Sequence, residues 1–164
     1  MTGKDIFDNY KDLQTERSVL EIQIKNFMGV TDADIIASMC FGHPDDSADR
    51  VQTSGTSDKT ASVAMKYHEV AIRENQEWYE WLLNKYLELD AELCFFDGCV
   101  DALGSKRAPI IRDLLDGEST WDDIAYTHHV GRATISRYRK EAVEEIDRRI
   151  RQRNQEKVNY MLYA

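Results

Sequence analysis

The chain has 164 residues, 42% of them hydrophobic and 31% charged, with a formal net charge of -9 at pH 7. That is enough apolar material for one core and a smaller annex, which excludes a disordered polymer; no apolar run approaches the ~18 residues of a membrane span. The start MTGKDIFDNY has neither a basic lead nor an apolar signal core, and Cys40, Cys94 and Cys99 are odd in number, so the expectation is a cytoplasmic protein with reduced, buried thiols.

In chain order, Ile6, Tyr10, Leu13, Arg17, Leu20, Ile24 and Phe27 keep a four-three spacing with Arg17 the only polar member. This predicts a long amphipathic helix with coiled-coil character that ends near Gly29. Thr31 followed by Asp34 reads as a helix-start cap before Ile35, Ile36 and Met39. Residues 41–60, FGHPDDSADRVQTSGTSDKT, are rich in Gly, Ser, Asp and Thr and predict an exposed loop, its cluster Asp45, Asp46 and Asp49 a solvated one. Helical periodicity returns through Tyr67, Val70, Trp78, Trp81, Leu82, Leu89, Leu93 and Phe96, with a bend expected at Asp97-Gly98. Neither long helix can bury its apolar face alone, so the two are expected to pair as an antiparallel hairpin.

Three further helices fit residues 105–153. The first carries Pro109, Ile110, Ile111, Leu114 and Leu115 and stops at Asp116-Gly117. The second is capped by Ser119 with Asp122 and buries Trp121, Ile124 and Ala125. After His128-His129-Val130-Gly131 the third turns Ile135 and Tyr138 inward. Ala125 allows a close crossing, Val130 fills the turn and Gly131 permits the bend, which together form the pattern of a helix-turn-helix. No stretch alternates in the manner of a strand. The fold class expected is all-α: a long N-terminal helical hairpin over 1–98, for dimerisation or partner binding, then a helix-turn-helix domain over 99–164 with a C-terminal tail.

Charge is unevenly placed. Residues 132–153 hold eight basic side chains against four acidic ones, whereas 1–131 hold 12 against 25. The basic group begins in HVGRATISRYRK, and Arg132, Thr134, Ser136, Arg137 and Lys140 fall on the outward side of the third helix. Arg can hydrogen-bond guanine, and Ser or Thr can touch base edges or phosphate, so these residues are candidates for contact with double-stranded DNA. Arg139 points away from the base-reading side and is assigned at most a phosphate contact.

The stretch STWDDIAYTHHVGRATISRYRKEAVEEI resembles the region-four helix-turn-helix of sigma factors, in the form found in RinA-type and ArpU-type phage transcriptional regulators. RVQTSGTSDKTASVAMKY is similar to the loop and following helix of those small proteins. The resemblance implies promoter or operator binding in a bacterial host cell and activation of phage late genes, with contacts to RNA polymerase. It places Arg132, Thr134, Ser136, Arg137 and Lys140 against DNA, and Ala125, Val130, Ile135 and Tyr138 inside the motif.

Other chemistry is weaker. His68-Glu69 begins a zinc-protease motif whose second histidine is replaced by Ile72; CFFDGC lacks a zinc-knuckle spacing; GTSDKT lacks the strand and the glycine of a phosphate-binding loop. No catalytic residue, metal or cofactor is expected. A homodimer is one expected assembly. A small terminase-like packaging subunit and a protein-interaction module that binds a host protein are the alternative readings.

Overall fold

The computed structural model describes residues 1–41 and 58–163, and within them the chain is all-helical. The elements are α1 (Gly3–Asp8), α2 (Tyr10–Lys25), α3 (Asp32–Phe41), α4 (Asp58–Asp101), α5 (Ala108–Asp116), α6 (Trp121–Thr127) and α7 (Arg132–Tyr163). Most of the loop expected over 41–60, with its aspartate cluster, lies outside the described residues; Phe41 closes α3, and Asp58 to Thr60 already belong to α4.

Two compact units form: Met1–Val19 with Tyr86–Ala164, and Leu20–Lys85. This division does not fall at the expected 98/99 boundary, because α1 packs on α7. Gly3 makes that approach possible: a Cβ there would lie 2.9 Å from Asp147 Oδ1 and 3.0 Å from Ile146 Cγ2. The Gly3 amide donates to the Asp147 carboxylate.

The core of the first unit is built around Phe96, Ile6, Leu93, Val100, Ile111 and Ile146, all fully buried. Phe7 meets Phe96 edge-on at 6.5 Å and Tyr10 lies 5.6 Å from the same ring. The Tyr10 hydroxyl donates to Asp97 Oδ1 at 2.7 Å, and Arg112 donates to the same oxygen at 2.7 Å. Burial, with the Asp97 carboxylate adding to it, pushes the Tyr10 phenol up to about 12. Arg17 donates to Asp90 at 3.1 Å, so α2 runs antiparallel to the last turns of α4 in this unit.

Two expected boundaries move. The first helix is interrupted at Asn9, where the side-chain amide and the backbone N–H both donate to the Asp5 carbonyl, at 2.8 and 3.2 Å. Asparagine competes in this way with the regular helical ladder. In contrast, α4 runs through Gly98 to Asp101. An interior glycine costs a helix ~1 kcal/mol, which the buried neighbours Phe96, Cys99 and Val100 outweigh.

In the Leu20–Lys85 unit, Phe27 meets Trp78 and Tyr79 edge-on at 5.1 and 5.2 Å. The Val30 amide donates to Asn75 Oδ1 at 2.6 Å, and Thr31 and Asp34 cap α3 reciprocally, as their spacing predicts. Leu20, Ala71 and Leu82 are buried, but Trp78 and Trp81 are not core residues: they remain 45% and 57% exposed. Cys94, in the other unit, is exposed as well, whereas Cys99 is buried and its thiol is pushed up by that burial.

Candidate nucleic-acid interface

Helices α5, α6 and the start of α7 converge on Ile110, Ile124 and Ile135, with Leu114, Ala125, Val130 and Tyr138 packed around them. Helix α5 has Pro109 in its first turn and ends on Gly117 in the left-handed conformation, φ 56°. The α6 cap is one residue later than expected. Thr120, not Ser119, accepts from the Asp123 amide, and the Asp123 carboxylate accepts from the Thr120 amide and hydroxyl at 3.1 and 2.6 Å. The Thr120 side chain, helped by its amide, holds the Asp123 carboxyl below its usual range. In this frame Trp121 opens the helix and is 39% exposed rather than buried.

Val130 fills the turn as expected, and the turn differs from the sequence expectation in the residue that carries the bend. Its left-handed residue is His129, φ 52°, and not Gly131. The Val130 amide donates to Ala125 O at 3.0 Å, and Gly131 then caps α7 by accepting from Thr134 and Ile135 at 2.9 and 3.2 Å. His128 Nε2 lies 2.6 Å from Asp113 Oδ2, fastening the turn to α5.

Helix α7 buries Ile135, Ala142, Ile146 and Ile150 along one side. Ser136, Arg137 and Lys140 are exposed on the other side, and Thr134 is half-buried. Ala133 shares the outer row, a position that the spacing 133, 136, 137, 140 marks although it carries no polar group. Arg137 reaches Glu141 only at 3.8 Å and lies over the Tyr138 ring. Arg132 has a different environment, with Nε 2.5 Å from Asp122 Oδ1 and Nη2 donating to Oδ2 at 2.6 Å.

Arg139 stands apart from this group. It donates to Asp8 at 2.8 Å and covers the Phe7 ring at 5.1 Å. Its position four residues after Ile135 and three before Ala142 puts it on the packed side, a placement visible in the periodicity. Further along, Arg149 donates to Cys99 O and to Glu145, and Arg153 donates to Glu92. The expected basic end is therefore partly internal ion pairing, and only part of it faces outward.

Among the described residues no three His, Cys, Asp or Glu side chains lie close enough together to hold a metal ion, and no helix is long and apolar enough to cross a membrane. Comparison with known proteins brings no match from a family model, a curated protein or a solved structure.

Proposed function

We propose that the chain is a sequence-specific double-stranded DNA-binding transcriptional regulator of the phage or prophage type, an activator acting with RNA polymerase and without catalysis of its own. The observation that carries this reading is the row Ala133, Ser136, Arg137 and Lys140. It lies on the exposed side of α7, whose opposite side is held by Ile110, Ile124 and Ile135. The first turn of α7 contains no acidic residue, so its positive dipole end is not cancelled from within the helix. Such an end attracts phosphate, the two cations add salt-dependent affinity, and Arg137 and Ser136 can reach base edges in a major groove.

Arg137→Ala and Lys140→Ala are each expected to weaken duplex binding and to reduce the slope of log K against log salt by about 1, with the helical circular dichroism unchanged. Titration of a labelled duplex at several salt concentrations measures this. Salt-insensitive binding, or variants that bind like the parent chain, would overturn the reading.

A second reading, a protein-interaction module, draws on the end of α7, where Tyr160, Met161, Leu162 and Tyr163 are 74%, 67%, 71% and 88% exposed. A retained protein partner together with no duplex affinity would favour it, while light scattering separates the regulator, a monomer or dimer, from a DNA-packaging subunit, which would form a ring of many copies.

A further inference from the structure

Asp122 is not used by the helix cap. The T-x-x-D frame that forms is Thr120 with Asp123, which leaves the neighbouring carboxylate facing the turn rather than its own helix. Both its oxygens are taken by one edge of a single guanidinium: Nε of Arg132 at 2.5 Å and Nη2 at 2.6 Å. This two-bonded arrangement fixes the plane of the guanidinium and joins the second residue of α6 to the first of α7. Both side chains are more than half exposed, so the pair adds little to folding stability.

We infer that Asp122 is a positioning residue that makes Arg132 a reader of base edges instead of a phosphate clamp. The inference rests on the DNA-binding reading and deepens it. Five N–H groups leave a guanidinium; two are held by Asp122, and the remaining edge, formed by Nη1 and the second N–H of Nη2, keeps two parallel donors. A phosphate arriving at that edge brings negative charge towards the Asp122 carboxylate, which offsets part of its attraction to the guanidinium. The N7 and O6 atoms of guanine are neutral acceptors, matched by two parallel donors and tolerated by the carboxylate. The pair has no net charge, so Arg132 adds nothing to the long-range attraction that holds a protein on random DNA. That attraction is left to residues such as Lys140 and Arg137, the latter with its nearest carboxylate only at 3.8 Å.

The test compares the full chain with Asp122→Asn, Arg132→Ala and Asp123→Asn on two duplexes, one selected by the parent chain from a random pool and one scrambled, across a salt series. Asp122→Asn is expected to bind the scrambled duplex more tightly and to steepen its salt slope by about 0.9, the value of one added cation. The ratio of selected to scrambled affinity is expected to fall about tenfold, the loss of one bidentate base contact. Arg132→Ala lowers the same ratio without steepening the slope, and Asp123→Asn, which breaks the cap and leaves the pair, lowers thermal stability without changing the ratio. If Asp122→Asn keeps the parent slope and ratio, the inference fails while DNA binding stands. If the parent chain selects no duplex and neither it nor Asp122→Asn shows salt-dependent binding, the DNA reading fails and the inference falls with it.

Discussion

Residues 132–140 and 148–153 carry four basic side chains each, yet the two stretches differ in what those charges meet. In the first, Arg137 and Lys140 are exposed, Arg132 leans on Asp122, and Arg139 is bound to Asp8. In the second, Arg149 and Arg153 fasten α7 to α4, and Arg148 and Arg151 are exposed. The difference follows from helical register. Arg139, Arg149 and Arg153 share the side of Ile135, Ala142, Ile146 and Ile150, while Arg137, Lys140, Arg148 and Arg151 occupy the opposite side. A local count of basic residues is therefore not a measure of the charge offered to a partner.

The largest test of that contrast removes the side that holds the helix in place. Ile135→Ala, at a fully buried position, is expected to cost ~2–5 kcal/mol in chemical denaturation and to abolish any duplex binding together with the packing. Arg149→Ala is expected to cost less, about 1 kcal/mol for a charged hydrogen bond at a partly exposed site, and to leave the salt slope of duplex binding unchanged. If it weakens duplex binding as Arg137→Ala does, the division of α7 into two sides is wrong.

Smaller effects sharpen the turn between α6 and α7. His129→Gly is expected to stabilise the chain by about 1 kcal/mol, since glycine adopts the left-handed conformation without the side-chain penalty; no gain in thermal denaturation would mean that the histidine has a contact that offsets it. The smallest effect is that of Asp123. Its folded-state pKa lies below its unfolded value of 3.8, so its contribution is complete above that value and is lost as the pH falls through the folded-state pKa. Stability measured from pH 6 down to pH 2 should therefore fall less steeply for Asp123→Asn than for the parent chain.

Much of the candidate interface was legible. Ile110, Ile124 and Ile135 follow from helical spacing and Val130 from its place in the turn, and their cluster forms as expected. What local reading missed were choices between equivalent neighbours. The stretch ESTWDD contains two overlapping cap frames, Ser119 with Asp122 and Thr120 with Asp123, and nothing in the string separates them. The frame that forms keeps Ile124 on the core and exposes Trp121, and it leaves Asp122 to Arg132. Trp78 and Trp81 share the apolar stripe of α4 yet stay exposed for a related reason: helical spacing reports which residues share a side, not whether another element covers that side completely.

By itself the sequence determined that the described residues are helical, where the Thr-Asp cap of α3 and the Gly117 stop fall, and that Ile110, Ile111, Leu115, Ile124 and Ile135 are core residues of the last three helices. Those features depend on interactions within a few positions and on the 3.6-residue period, both of which a linear string contains. Tertiary structure decided that α1 packs on α7 through Gly3, that α4 passes through Gly98, and that the partners of the inward arginines are Asp8, Glu92 and Glu145. Those outcomes require residues up to 144 positions apart to meet, as Gly3 and Asp147 do, and a guanidinium takes whichever carboxylate the packing of buried side chains brings to it.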